Sequence, residues 1–281
     1  MHQVSSCWKR CIRTSSLDRM RFASLGSGSE GNALLVSVST KNSGTPQTLV
    51  LMDCGFGLQD TVVRLEKLGV MPEQLSGIVV THEHGDHIGG VARLARKFDL
   101  NVWLTHGTLH SQPKAFAKIP KLHEIDAHAA FAIGDLYVQP YPVPHDAAEP
   151  VQFVFSDGSR RLGVLTDAGC STPHIEATLS GCDALVLECN HDGELLANGD
   201  YPYSLKQRVG GRFGHLNNRQ SAELLASLDV SRLQHLVAAH LSHKNNTPEL
   251  AVSALSAALG CPAEFVGVAT QQEGFAWREI V

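Results

Sequence analysis

The stretch THEHGDH, residues 81–87, indicates the fold and the chemistry of this sequence most directly. It follows a short apolar run that predicts a buried strand, and it precedes apolar residues at helical spacing. In an extended segment alternate side chains project to the same side, so His82 and His84 can bind one cation together. Asp86 and His87 lie where the chain turns into the helix and can bind a second cation. Because imidazole and carboxylate ligands at this density suit Zn²⁺ or a similar divalent ion, we predict a metal site here.

The composition excludes several classes of protein. The chain has 281 residues, of which 43% are hydrophobic and 18% are charged, and this is typical of a globular domain rather than a disordered or fibrous chain. No apolar run approaches the length that crosses a bilayer, so a membrane partner is not expected. The net charge of −5 excludes a surface that coats nucleic acid broadly. A metal site would explain the unusual number of histidines, which is 15.

The cysteines and the N-terminal segment indicate the compartment and the domain limits. The seven cysteines are irregularly spaced without a C-x-x-C pair, which fits reduced thiols in the cytoplasm better than a disulfide framework. Residues 1–19 are basic and lack a continuous apolar region, so a secretory signal is not expected. We interpret them as a disordered leader or, because Met20 directly precedes the first strand-like run, as a start codon assigned too early. A transit-like presequence is the alternative. A single domain is expected over residues 20–281.

Short apolar runs and helical patterns alternate from Met20 onward without a linker. Strands are predicted at residues 21–25, 33–38, 48–53, 78–80, 102–104, 136–143, 151–155, 162–166, 184–188 and 236–239, and helices at residues 58–68, 88–98, 218–228 and 248–259. Neighbouring strands early in the chain, followed twice by alternating strands and helices, predict an α/β fold, an αββα four-layer sandwich with the helices outside. The glycine-rich segment SGSEGN, residues 27–32, is interpreted as a turn between two strands, because it opens no helix and lacks the lysine of phosphate-binding loops.

The pattern H-x-H-x-D-H in residues 82–87 resembles the signature of the metallo-β-lactamase-fold hydrolases. This resemblance implies three further ligands, each directly after a predicted strand. His145 would complete the first metal, Asp167 would bridge both metals, and His240 would complete the second. His243 is the alternative to His240, although His240 directly ends its strand.

Three more polar residues are candidates for roles beside the metals. Asp53, which closes a strand, is predicted either to accept a hydrogen bond from a ligand histidine and so fix its tautomer, or to cap the chain locally. Glu188 and His215 resemble the paired Glu and His of the phosphodiesterase branch, as in RNase Z, where such a pair helps to protonate the leaving oxygen. A histidine polarised by a carboxylate is a suitable general acid near neutral pH. The alternative is structural, with His215 capping a helix and Glu188 as a charge at a strand end.

A wider set of motifs, in order over residues 21–268, is similar to the YycJ/WalJ-type proteins. The motifs are SGSEGN (27–32), THEHGDH (81–87), PHD (144–146), TDAG (166–169), ECNHD (188–192), GHLNN (214–218) and HLSHKNN (240–246). This resemblance implies a bacterial, cytosolic, metal-dependent enzyme, with exonuclease activity on DNA in some members. The interval from Asp167 to His240 is too short for the β-CASP domain of the RNase J and CPSF nucleases. Cys189 stands where a smaller residue is more usual.

The segment YPYSLKQR, residues 201–208, is a candidate for substrate binding near the predicted acid. We expect Lys206 and Arg208 to bind phosphate oxygens and Tyr201 or Tyr203 to stack on a base. A solvated loop without a ligand is the alternative.

Together these motifs predict a hydrolase with two divalent metal ions, Zn²⁺ or Mn²⁺, with iron as a further option. The expected reaction is exonuclease-like hydrolysis of a phosphodiester in nucleic acid or a nucleotide-type substrate, with DNA favoured. A hydroxide bridging the metals near Asp167 would attack phosphorus, Asp86 would be indispensable, and His215 with Glu188 would protonate the leaving group. The alternatives are a glyoxalase-II-like thioesterase or lactonase on the same fold, and a non-catalytic binding protein stabilised by metal.

Overall fold

Within residues 19–39 and 47–281, the part of the chain that the computed structural model describes, two seven-stranded β-sheets pack against each other. The strands are β1 (Arg19–Gly26), β2 (Ala33–Ser39), β3 (Thr48–Met52), β4 (Gly77–Val79), β5 (Asn101–Thr105), β6 (Lys121–Ile125), β7 (Phe131–Ile133), β8 (Leu136–Pro142), β9 (Val151–Ser156), β10 (Arg161–Leu165), β11 (Ala184–Glu188), β12 (His235–Ala239), β13 (Val266–Val268) and β14 (Phe275–Ile280). The first sheet has the order β14-β1-β2-β3-β4-β5-β6, and the second has the order β13-β12-β11-β10-β9-β8-β7.

Helices cover the outer faces of both sheets. They are α1 (Leu58–Lys67), α2 (Gly85–Ile88), α3 (Val91–Phe98), α4 (His106–Ser111), α5 (Pro113–Phe116), α6 (Pro173–Leu179), α7 (Gly193–Asn198), α8 (Tyr203–Val209), α9 (Asn218–Ser227) and α10 (Pro248–Leu259). The helices α1 and α3 pack on the first sheet, whereas α9 and α10 pack on the second. Among the helices of the described residues, none has the length and apolar character that spanning a membrane requires.

Each sheet contributes alternate side chains to two different cores. Val36 of β2 lies in the core between the sheets, whereas its neighbour Leu35 packs under the helices of the first sheet. In the second sheet, Val186 faces the core between the sheets and Leu187 faces the outer helices. Successive strand side chains point to opposite faces, so a strand covered on both faces must be apolar throughout. Burial on both faces therefore explains the continuous apolar runs in the sequence. The predicted αββα sandwich is confirmed.

The parallel strands, which form one side of each sheet, determine where the functional loops meet. Strands β3 to β6 run parallel in the first sheet, and β10 to β13 run parallel in the second. Parallel strands end at the same edge, so the loops that follow them lie side by side.

The ends of α10 follow the sequence signals closely. The Thr247 hydroxyl accepts a hydrogen bond from the Leu250 N–H, Pro248 occupies the first helical position, and Gly260 ends the helix with φ 65°. Thr247 and Gly260 thus provide hydrogen-bond partners for backbone groups at the two ends of the helix, as expected of a side-chain N-cap and a left-handed C-cap.

The sequence prediction omits four of the fourteen described strands (β6, β7, β13 and β14) and five of the ten described helices (α4 to α8), and it joins two helices into one. The helix predicted over residues 88–98 is divided into α2 and α3, with Gly89 and Gly90 between them. A Cβ on Gly90 would lie 2.0 Å from the Phe56 carbonyl oxygen, so close backbone packing requires glycine there. The C-terminal strand β14, which the sequence prediction omitted, pairs antiparallel with β1 and completes the first sheet.

Several predictions concern residues at the limits of the structure. Residues 1–18 of the leader proposed for residues 1–19, with Cys7 and Cys11, and the turn at residues 41–46 lie outside the described residues. The last residue of the proposed leader, Arg19, is instead the first residue of β1.

Candidate metal centre

The side chains predicted as metal ligands converge where the carboxyl ends of strands from both sheets meet. They follow β4, β8, β10 and β12. The set consists of His82, His84, Asp86, His87, His145, Asp167 and His240. The side chains of His84 and Asp86 are 29% and 21% exposed, so the centre opens to solvent on their side.

One group of three histidines forms the first half of the centre. His82 Nε2 lies 3.0 Å from His84 Nδ1, and His145 Nε2 lies 3.2 Å from the same atom. The three ligand atoms are all within 4.8 Å of one another, so they can bind a common ion. The His145 ring is oriented by its other nitrogen, Nδ1, which lies 3.0 Å from the Gly214 carbonyl oxygen.

A second group lies beside the first and combines Asp86, His87 and His240. Asp86 Oδ2 is 3.4 Å from His87 Nε2 and 3.5 Å from His240 Nε2. Asp167 contacts two members of this second group, because its Oδ2 is 3.3 Å from His87 Nε2 and its Oδ1 is 3.0 Å from His240 Nδ1. It also forms a cluster with His82 and His87. The structure thus brings the predicted ligand side chains together, with Asp167 close to members of both groups.

Two buried atoms of the centre lack hydrogen-bond partners. They are Asp167 Oδ2 and His240 Nε2. Leaving a buried polar atom unpaired costs roughly 1–3 kcal/mol. A carboxylate oxygen and an imidazole nitrogen are both ligand atoms for divalent cations, so a bound cation would satisfy both. The residues present therefore fit a centre that binds divalent metal.

Burial and the neighbouring carboxylates shift the pKa of the buried histidines in opposite directions. Burial lowers the pKa of His82 and His145, which favours the neutral imidazoles that bind metals. Burial has the same tendency at His87 and His240, but the facing carboxylates, led by Asp167, outweigh it and raise the pKa of both residues. Burial of Asp167 is in turn outweighed by His240 and His87, which lower its pKa. The centre thus stabilises positive charge between its carboxylates.

Asp53 orients one of these histidines. Its Oδ2 lies 2.8 Å from His87 Nδ1, and its two oxygens accept hydrogen bonds from the Thr81 N–H and hydroxyl, each at 2.9 Å. The contact with His87 Nδ1 leaves Nε2 directed at the centre, the arrangement by which a carboxylate fixes the tautomer of a ligand histidine. Asp53 adopts φ 61°, a backbone conformation that is uncommon for a residue other than glycine.

His240 is held in the same unusual backbone conformation, with φ 55°. Its N–H donates to the Ser27 hydroxyl oxygen at 2.9 Å, and its carbonyl accepts from the Asn190 side-chain amide at 3.0 Å. His240 is buried, whereas His243 is exposed and belongs to none of the ligand clusters in the described residues. The geometry therefore favours His240 over His243 as a ligand.

Asn32 is a residue of the centre that the ligand motifs did not identify. Its Nδ2 donates to Asp86 Oδ2 at 3.2 Å and to the Gly28 carbonyl at 3.0 Å. Its Oδ1 accepts from the Ser27 hydroxyl and the Gly28 N–H, each at 3.0 Å. Through Ser27 this asparagine connects Asp86 of the first sheet to His240 of the second. Its sequence signal is the glycine-rich segment 27–32, whose residue pattern predicts a turn between two strands.

Glu188 and His215 form a pair beside the centre. His215 Nδ1 lies 2.7 Å from Glu188 Oε1 and 3.6 Å from Asp167 Oδ1. Glu188 is fully buried, and its Oε2 accepts the N–H groups of Ala168 and Leu216 at 2.9 and 3.2 Å. The α9 N-cap is Asn217, whose side chain accepts the Gln220 N–H, so His215 does not cap that helix.

The residues predicted to contact substrate lie on and around α8. Arg208 Nε donates to Asp146 Oδ2 at 2.6 Å, which places the guanidinium next to the loop that carries His145. Lys206 Nζ donates instead to the Ala197 carbonyl at 2.7 Å. Tyr203 is 78% exposed, and the Tyr201 ring packs under the Lys244 ammonium at 5.7 Å. The structure thus brings Arg208 to the rim of the centre but engages Lys206 with the protein backbone.

The chain is similar to proteins of known family and fold along most of its length. Residues 48–240 match the family model described as the beta-lactamase superfamily domain. The exodeoxyribonuclease YycJ of Bacillus anthracis is 35% identical over 246 residues, which cover 85% of this chain and 89% of that protein. The exodeoxyribonuclease WalJ of Streptococcus pneumoniae is 31% identical over 235 residues, covering 82% of this chain and 85% of that protein. The crystal structure of the metallo-beta-lactamase fold protein YhfI from Bacillus subtilis has a TM-score of 0.71 at 16% identity, covering 93% of this chain and 99% of that chain.

Proposed function

The chain belongs to the beta-lactamase superfamily and is a metal-dependent hydrolase, and we propose that it removes nucleotides from DNA by hydrolysing phosphodiester bonds. The resemblance carried by the motif at residues 81–87 is thereby confirmed at the level of the family. DNA as the substrate is supported by the two exodeoxyribonucleases, because each matches over four fifths of this chain.

The observation that supports this chemistry most strongly is the pairing of His215 with Glu188. A phosphodiester has an alcohol leaving group, which needs a proton as its bond to phosphorus breaks. Glu188 Oε1 lies 2.7 Å from His215 Nδ1, and the His215 side chain is 22% exposed beside Asp167. A proton donor therefore faces the open side of the centre.

The two ligand sets would hold two divalent ions in this proposal. His82, His84 and His145 would bind one ion, Asp86, His87 and His240 would bind the other, and Asp167 would contact both. Zn²⁺ and Mn²⁺ are the candidates that this donor set favours. When bound, such ions supply Lewis-acid catalysis for phosphodiester hydrolysis.

The side chains then have distinct roles around the reacting phosphate. His215 holds a proton on Nδ1 that Glu188 accepts in a hydrogen bond, and the proton it transfers to the leaving oxygen is on Nε2. Glu188 stabilises the imidazolium before that transfer, and its own position is secured by the N–H groups of Ala168 and Leu216. Arg208, already bound to Asp146 at the rim, would approach a phosphate on the substrate's flanking nucleotide.

Replacement of the proposed acid tests the mechanism. We expect His215→Ala to lower kcat on DNA by about 10²–10⁴-fold, the usual contribution of general acid catalysis. Hydrolysis of bis(p-nitrophenyl) phosphate should fall far less, because p-nitrophenolate leaves without a proton. His243→Ala, which removes an exposed histidine, is the matched control and should keep both activities. An equal loss on both substrates would contradict the role of His215 as the acid.

The choice of substrate is tested with labelled single- and double-stranded DNA in the presence of Zn²⁺ or Mn²⁺. We expect release of nucleotides by the wild type and none by Asp86→Ala. Hydrolysis of a glutathione thioester without any phosphodiester cleavage would favour the thioesterase alternative. Fewer than one metal ion per purified chain, by elemental analysis, would favour the non-catalytic alternative.

The cysteines support a cytoplasmic location for this activity. Those in the described residues are free thiols, and Cys54, Cys182 and Cys189 are buried. Such thiols persist in a reducing compartment. In the same proposal residues 20–281 act as one domain, which is supported by the core that the two sheets share.

A further inference from the structure

Three exposed side chains that belong to neither half of the metal centre form a separate cluster on the first sheet. His106 and His110 lie one turn apart on α4, and Glu124 lies on β6. A ligand atom from each of the three residues is within 4.8 Å of the other two. They lie outside the sequence motifs that predict the metal centre.

The spacing of the two histidines is one that binds metal on a helix. Residues four positions apart lie on the same face of a helix, and a pair of histidines at this spacing provides two ligands to one ion, as in H-E-x-x-H zinc proteins. The rings of His106 and His110 are in edge contact, with centroids 3.9 Å apart.

The third donor is brought to this pair by the sheet. Strands β5 and β6 are parallel neighbours with Leu104 opposite Glu124, and α4 starts directly after β5. Glu124 Oε2 consequently lies 2.8 Å from His106 Nδ1. Within the described residues, no lysine or arginine forms an ion pair with Glu124, so its carboxylate is available to a cation.

We propose that His106, His110 and Glu124 bind a divalent metal ion of the zinc type, separate from the ions of the main centre. Two imidazoles and one carboxylate are a known zinc donor set, and a three-residue site leaves a position for water. The exposure of all three residues gives an ion direct access from solvent.

The position of this site indicates what the ion would do. Strand β6 is the edge strand of its sheet, and edge strands are prone to fraying and to pairing with other chains. An ion bound to His106, His110 and Glu124 joins α4 to β6. The first turn of α4 is attached to the loop that follows His145 and Asp146, because the Gly107 N–H donates to Glu149 Oε2 at 2.6 Å. The ion would therefore secure the edge of the sheet next to the active centre.

Calorimetric titration of the metal-free full chain with Zn²⁺ tests the proposal. We expect the wild type to bind one equivalent more than His110→Ala, and His128→Ala, which removes another exposed histidine, to match the wild type. Phosphodiesterase activity should be the same in all three proteins. An identical Zn²⁺ stoichiometry in the wild type and His110→Ala would overturn the proposal, whatever the activity.

A second variant covers the possibility that His110→Ala disturbs α4. Glu124→Gln keeps the size and polarity of an exposed side chain but removes the charged ligand. It should also bind one equivalent fewer, and Zn²⁺ beyond the main centre's requirement should raise its Tm less than that of the wild type. Retention of the full stoichiometry by Glu124→Gln, in a protein with unchanged circular dichroism, would equally overturn the proposal.

Discussion

Asn32 shows that single residues outside the ligand set position the metal centre. Its side-chain amide forms five hydrogen-bond contacts, including those to Asp86, His87 and Ser27, and Ser27 accepts the His240 N–H. His240 has φ 55°, a conformation that costs free energy unless its neighbours enforce it. Asn32 therefore positions all three residues proposed for the second ion, Asp86 and His87 directly and His240 through Ser27.

Replacement of Asn32 should weaken the binding of the second ion more than the binding of the first. We expect Asn32→Ala to raise the Kd of one metal equivalent by about 10–100-fold, the usual effect of losing a residue that orients ligands. The variant should also lose about 1–3 kcal/mol of stability, because buried partners are left unpaired. Metal titration and urea unfolding measure the two effects. Asn198→Ala, at an exposed position of α7, is the control. Equal loss of affinity for both metal equivalents in Asn32→Ala would contradict the role of Asn32 in positioning the ligands of the second ion.

At the scale of elements, the division between α2 and α3 positions the H-x-H-x-D-H segment. Gly90 N–H donates to the Cys54 carbonyl at 2.7 Å, so the junction packs against the loop that follows Asp53. These backbone contacts bring the loop so close to the junction that no side chain fits at Gly90. The apolar spacing at residues 88–98 predicts helix correctly on both sides of this junction but cannot show the contact with Cys54.

Substitution at the junction should be destabilising. A Cβ on Gly90 would lie 2.0 Å from the Phe56 carbonyl and 2.8 Å from Cys54 Sγ. We expect Gly90→Ala to lower the free energy of unfolding by about 1–3 kcal/mol, as overpacking does. Gly57→Ala is the matched control, because a Cβ on Gly57 meets nothing within 4 Å. Equal denaturation midpoints for the two variants would show that the junction can relax.

The turn between β9 and β10 should make stability depend on pH. Burial of the Asp157 carboxyl opposes its ionisation, but the N–H groups of Arg160 and Ser159, with the Arg160 guanidinium, outweigh burial and lower the pKa. A lowered folded-state pKa stabilises the fold above the unfolded value of about 3.9, and this contribution disappears as pH falls through the folded value. The difference in unfolding free energy between wild type and Asp157→Asn should therefore shrink below about pH 4.

Urea unfolding of the metal-free chain between pH 2 and 7 measures this difference. Asp200→Asn, at an exposed position, is the control and should follow the wild type at every pH. A difference for Asp157→Asn that stays constant across the range would mean that the carboxyl is not ionised preferentially in the folded state.

At the scale of the whole molecule, the centre joins the two sheets. Asp86 and His87 follow β4 of the first sheet, whereas Asp167 and His240 follow β10 and β12 of the second. His87, Asp167 and His240 are buried, and two atoms of this set have no hydrogen-bond partner. Metal binding should therefore contribute to the stability of the whole fold.

Removal of metal should lower the Tm. A ligand at 100 times its Kd stabilises the folded state by about 2.7 kcal/mol, and 1 kcal/mol moves the Tm of a protein of this size by about 2–4 °C. We therefore expect chelation to lower the Tm by roughly 5–10 °C for each tightly bound ion. Calorimetry with and without chelator measures the shift, and added Zn²⁺ or Mn²⁺ should restore it. The Tm of Asp167→Asn should change less than that of the wild type when chelator or metal is added. A wild-type Tm that chelation leaves unchanged would contradict a contribution of the ions to stability.

Local residue patterns predict the fold class, which the structure confirms, and the types of residue that gather at the centre. A strand that is buried on both faces must be apolar throughout, so it appears in the sequence as a continuous apolar run. Candidate metal ligands are histidines and carboxylates at strand ends, so they appear as short polar motifs such as residues 81–87. The structure brings Asp53, Glu188 and His215 to the centre, as these patterns predict.

The tertiary fold determines which distant residues meet. The contact of Asn32 with Asp86, the pairing of Arg208 with Asp146 and the cluster of His106 with Glu124 all depend on it. Each contact joins residues from separate strands or loops, so it depends on strand order and register. No local pattern of residue types records those quantities, because they result from the packing of the whole chain.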